Sequence, residues 1–220
     1  MTGTPEGLIH RGNLLSQDDN ARHKKEPGFA SSRKQLSQSF AVETYPFPGS
    51  DYVAHQVLAH QVHGTNLLIR AGLEARLNRR SDVEKDLIRY LVFADEPPLE
   101  LSRSDADSVL AHSQFADSFV KRGPRDAKGN SLRDFSLVGR LFKHRLSYLI
   151  HSRLFDELPS ECRNRLLERL WVGLSTELGD DSFNHLSHDE RIAIIEIVRA
   201  TIPRIPVCWQ GHPTDDAGVR

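Results

Sequence analysis

The stretch from Ser131 to Pro203 constrains this chain most, because it reads as three consecutive helices with their start and stop signals in place. Val138, Leu141, Phe142, Leu149 and Ile150 supply one apolar face ahead of Pro159, which ends the first helix. Leu166, Leu167, Leu170, Trp171 and Leu174 follow on a second, with Ser160 as its cap. The third opens on Ser187-His188-Asp189-Glu190, a capping box whose side chains satisfy backbone N–H groups left free in a first helical turn. Its Ile192, Ile194, Ile195, Ile197 and Val198 are apolar nearly all round, so this helix is expected at the centre.

Upstream, a long helix is expected from about Asp51 to Leu77, capped by Ser50. Val53, Val57, Leu58, Val62, Ile69, Leu73 and Leu77 recur at helical spacing and are expected to bury one face. Gly64 and Gly72 each weaken this helix by about 1 kcal/mol relative to Ala, which points to a kink or a close helix contact. A second capping box, Ser81 to Glu84, precedes a face of Val83, Leu87, Leu91 and Val92 that ends before Pro97-Pro98. A short helix near Ser108–Val120 carries Phe115 and Phe119, and Gly123-Pro124 stops it. No alternating strand of useful length competes. The expected fold is all-α: an irregular bundle of about six helices over 50–209, an extended polar arm over 1–49 and a disordered tail over 210–220.

Composition limits the function. Lys plus Arg number 29 against 30 Asp plus Glu, so no global field points to DNA or a membrane surface. Lys121 to Arg153 holds nine basic residues against two acids, the one stretch that suggests phosphate contacts. Asp156 to Glu190 follows with nine acids against three Arg, so the two stretches can neutralise each other and nucleic acid is not expected as a partner. The longest apolar runs fall far short of the ~20 residues that span a bilayer, and the first residues lack the apolar region of a signal peptide. Taken as written, the chain is expected in the cytoplasm. Cys162 and Cys208 form no CxxC or zinc pattern; they read as free thiols, although antiparallel helices would bring both to one end and permit a disulfide.

Chemistry-bearing residues are few. The densest group is HQVLAHQVH on the first long helix, with His55, His60 and His63 spread over about 140° of the helix and His60 about 60° from His63. Two imidazoles on one face can be offered to a metal ion or to haem iron, which takes His or Met; the only Met is Met1. No acidic partner completes a zinc set nearby and HExxH is absent, so a solvated or hydrogen-bonded imidazole is the competing role. In the arm, His10-Arg11 and Arg22-His23-Lys24 could clamp a propionate or another anion, or form an ordinary polar surface. Asp126, Lys128 and Asn130 do not make a calcium loop, because a cation stands at a ligand position and Leu137 stands in place of the closing Glu. The chain has no nucleophile elbow and no glycine-rich phosphate loop. Cys162 at a helix start is thin support for a reactive thiol.

Several of these strings carry a resemblance. SLRDF (Ser131–Phe135), RLFK (Arg140–Lys143), SYLI (Ser147–Ile150), FDELP (Phe155–Pro159) and FNHLS (Phe183–Ser187) resemble the C-terminal region of large uncharacterised cytochrome c-like proteins of planctomycetes and proteobacteria. GLIHRGNLL (Gly7–Leu15), NARHK (Asn20–Lys24), VLAHQV (Val57–Val62) and RGPRDAKG (Arg122–Gly129) extend the similarity over nearly the whole chain. The resemblance implies an exported, periplasmic protein of redox or electron transfer whose haem is attached through CxxCH. That motif is absent, so the haem belongs to an upstream or separate module, or this member has lost it. His60, His63, His10 and Arg11 are then the residues to contact haem, with a haem domain as protein partner. The alternative is a non-catalytic structural or protein-interaction module.

Overall fold

The computed structural model describes residues 51–79, 82–176 and 180–210. The expected arm and tail, with His10 and Arg11, lie outside them. Among the described residues the chain is all-α, with seven α-helices: α1 (Tyr52–Arg76), α2 (Val83–Leu91), α3 (Arg103–His112), α4 (Gln114–Lys121), α5 (Arg153–Asp156), α6 (Ser160–Ser175) and α7 (His188–Thr201). Three 3-10 turns add Tyr148–His151, Asp181–Phe183 and Val207–Gln210. α1 packs along α2, α2 leans on α6, and α6 pairs with α7.

Helix starts are decided by whichever oxygen reaches a free N–H first. α1 is capped by Asp51, not Ser50: its Oδ1 accepts from the Ala54 N–H at 3.0 Å. The same carboxylate accepts from the Ser113 hydroxyl and, at 3.0 Å, from the Phe115 N–H, so one side chain ties the starts of α1 and α4 together. Ser113 ends α3 and caps α4, which splits the single helix expected near Ser108–Val120 in two. α2 is preceded by Asp82 with no side-chain cap bond; Glu84 turns away to Arg165, and Ser81 lies outside the described residues. α6 begins at Ser160 itself, behind Pro159. Half of the last capping box forms: Ser187 accepts from the Glu190 N–H, while the Glu190 carboxylate goes elsewhere.

Of the first of the three C-terminal helices only the end forms, as the 3-10 turn Tyr148–His151 and the short α5 ahead of Pro159. Residues 131–147 are irregular, with a single antiparallel bridge between Phe135 and Phe142 and left-handed backbone at Leu137 (φ 55°) and Gly139 (φ 70°). The apolar spacing there serves burial without helix: Leu132, Leu137, Leu141, Phe142 and Leu146 are all buried. Backbone groups in such a buried loop need partners. The Ser136 N–H donates to the Leu141 carbonyl, Lys143 to Asp134, Ser147 to Leu91, and Arg145 to the Glu190 carboxylate.

α6 and α7 follow the expectation more closely. Leu166, Leu167, Leu170, Trp171 and Leu174 are buried on α6, as are Ile194, Ile195, Ile197 and Val198 on α7. Arg191 is buried beside them and donates to the carbonyls of Gly173, Thr176, Phe183 and Leu186, closing the end of α6 onto the turn that follows. Cys162 and Cys208 are both free thiols.

Candidate functional site: the two faces of the first helix

α1 was expected to bury Val53, Val57, Leu58, Val62, Ile69, Leu73 and Leu77. Only the first two are inside. The buried face is Val53, Val57, His60, Gly64, Leu68, Ala71 and Gly72. Small residues explain the choice: a Cβ at Gly64 would overlap Leu149 and press on Tyr90, while Gly72 lies beside the ends of the Arg76 and Leu158 side chains. Both glycines mark close contacts within a continuous helix.

His60 sits at the middle of this inner face, 8% exposed. Its Nε2 hydrogen-bonds the Ser147 hydroxyl at 2.7 Å, and Ser147 is itself fixed by its N–H donating to the Leu91 carbonyl. The ring stacks on Tyr90 at 4.9 Å and Phe93 at 4.8 Å, with Phe142 and Tyr148 each 6.0 Å away. The Tyr90 hydroxyl donates to the His60 carbonyl at 2.7 Å. Burial, with a smaller contribution from the nearby His63, drives the His60 pKa down to about 3. His60 is thus a neutral aromatic member of the core.

A larger ring cluster continues from it. Phe119 meets Phe135, Phe142 and Tyr148, and the Arg133 guanidinium lies 4.7 Å over the Phe119 ring.

This surrounding does not fit a haem or metal ligand at His60. Its Nε2 is engaged by Ser147 and rings cover its flanks. His63 is exposed, resting its ring 4.7 Å from Tyr90, and His55 is half-buried nearer the start of α1. Among the described residues no three His, Cys, Asp or Glu side chains gather to hold a metal ion, so His55, His60 and His63 do not form the expected donor set.

The half-buried His151 and His185 and the buried Glu190 also have structural partners, whereas the buried His144 leaves its Nε2 without one among the described residues. His151 Nε2 bonds Thr201, and His185 Nε2 bonds the Val92 carbonyl. Glu190, buried, takes Arg140 at 2.9 Å and Arg145 at 2.8 Å. Burial raises its pKa, but the Arg145 hydrogen bond and the two guanidinium charges outweigh that and hold it below the usual carboxylate range. This network, with Arg125–Asp134 and Lys128–Glu196, neutralises much of the basic Lys121–Arg153 strip. Cys162 has its thiol pushed up to about 11, chiefly by burial, the opposite of an activated nucleophile.

What stands out on the opposite side of α1 is apolar. Leu58, Val62, Ile69, Leu73 and Leu77 are 46% to 60% exposed. At about 100° per residue they centre roughly 200° away from the buried face. Below Ile69 and Leu73 a cleft of about 120 Å³ opens against Leu154, Glu157 and Leu158, with Arg76 at its side. That volume is small beside the ~300–1,000 Å³ typical of small-molecule sites.

The chain matches no family model, and no curated protein and no solved structure is significantly similar to it.

No helix among the described residues is long and apolar enough to cross a membrane.

Proposed function

We propose that this chain is a non-catalytic protein-interaction module that docks through the outer face of α1. One observation carries the reading: five large aliphatic side chains stand in water along one helix whose other face is already fully packed. Contiguous exposed apolar surface marks association sites. The polar interior supports the same reading, since His60, His185, Glu190 and Arg191 are committed to hydrogen bonds that hold the fold.

Alkylation of a cysteine placed at Ile69 tests this, with a cysteine at the exposed Ser118 as control. In dilute purified protein both thiols label at comparable rates. In cells producing the chain the site at 69 is shielded while 118 is not. Equal labelling of both in cells contradicts docking on this face.

The resemblance of the Ser131–Ser187 strings favours a second reading, in which the docked protein bears a covalently attached haem and the pair serves electron transfer. The chain itself then supplies contact surface, and the iron is ligated by the other protein. Titration of the purified chain with haemin is expected to leave the Soret band of the free haem in place and the melting temperature unchanged. A Soret shift abolished by His63→Ala would contradict that division of roles.

A further inference from the structure

The outer face of α1 also specifies what it docks. Leu58, Val62, Ile69, Leu73 and Leu77 run along about 28 Å of helix. Four of the five are symmetric about the point between Leu67 and Leu68, with Leu58 as far before it as Leu77 lies after and Val62 as far before it as Leu73 after; Ile69 is the exception, its mirror position being Asn66. A stripe with that symmetry is complementary to its own copy laid antiparallel, which is the condition for a two-fold contact of identical surfaces.

The charges agree. From Tyr52 to Thr65 the helix carries no Asp, Glu, Lys or Arg, and its charged residues, Arg70, Glu74 and Arg76, all follow. Antiparallel pairing sets each charged half against an uncharged half. Parallel pairing would place Arg70 on Arg70 and Arg76 on Arg76, at a cost in like-charge repulsion.

The cleft beside Ile69 and Leu73 gives the arriving Val62 a recess to enter. One helix face of this length buries on the order of 1,000 Å² in total, the lower end of specific interfaces, which corresponds to a weak, reversible dimer.

We propose that α1 pairs antiparallel with α1 of a second copy of this chain, Leu58 against Leu77 and Val62 against Leu73. The proposal rests on the docking reading above and names its partner. Equilibrium sedimentation of the full chain over a range of concentrations is the test, with Val62→Glu/Leu73→Glu as the variant. Both positions are exposed, and a circular dichroism melt checks that the variant folds as the parent does.

The expected result is a concentration-dependent doubling of mass, weakened about 100-fold or more in the variant. In a Cys208→Ser background, a short bismaleimide is expected to join Val62→Cys chains to Leu73→Cys chains and not to join Val62→Cys chains to each other. Cross-linking between two Val62→Cys chains overturns the register. A monomer at every concentration overturns the dimer. If position 69 of that monomer is shielded in cells, the docking reading survives with a different partner; if it is open in cells, both fall. Slow labelling of position 69 in the dilute monomer assigns the face to the chain's own residues 1–50, and that also overturns the second copy.

Discussion

His60 shows how one residue sets the pH behaviour of the fold. A histidine held neutral in the core at a pKa of about 3 would take up a proton near 6.5 once unfolded. Its contribution is complete above the unfolded value and is lost as the pH falls from there toward 3. His151, lowered to about 4 mainly by burial with Arg133 adding to it, acts in the same direction. Each should cost about 2 kcal/mol of stability between about pH 7 and pH 5. His60→Phe should therefore flatten the acid limb by about that amount in urea unfolding at the two pH values. An unchanged acid limb would show that His60 titrates normally.

Glu190 is the matching case for carboxylates. Removing it strands Arg140 and Arg145, so Glu190→Ala should lower stability by about 3 kcal/mol, read by chemical denaturation. The importance of His60 was visible in the sequence, but its role was not. Spacing alone gives the angle between imidazoles and leaves open whether that side of the helix looks into the core. Glu190 looked like a cap partner because its place in the box is local, whereas Arg140 and Arg145 reach it from far along the chain.

At the level of elements, glycine decided what aliphatic periodicity could not. α1 has two apolar stripes, and the larger side chains lie on the one that stays outside. Gly64 allows Tyr90 of α2 and Leu149 to approach the other. Periodicity cannot choose between two such faces, so the expected burial of Leu58, Val62, Ile69, Leu73 and Leu77 fails.

Gly173 makes a similar approach on α6. A Cβ there would overlap the Phe183 ring, so Gly173→Ala should cost about 3 kcal/mol despite its better helix propensity. Gly72→Ala meets only the ends of Arg76 and Leu158 and should be nearly neutral in the same thermal melts. α6 and α7 were legible because propensity and burial agree over several turns, although Ser160 does not cap α6 and only Ser187 of the last box caps α7. Residues 131–147 were misread because their helix-like apolar spacing fills a core from irregular backbone, whose bonds to Leu91 and Glu190 are long-range.

For the whole molecule, the all-α class followed from sequence because no segment alternates as a strand does, and the described residues bear that out. The working surface did not, since an aliphatic stripe on a helix reads as core until the packed side is known. α1 has a structural inside and a free outside. The most direct test is urea unfolding of Leu68→Ala beside Leu73→Ala, in protein dilute enough to be monomeric. Leu68 is fully buried and should lose about 3 kcal/mol, whereas Leu73, 53% exposed, should change by about 0.5 kcal/mol or less. Equal losses at the two positions would mean that both faces are packed, and would contradict the account.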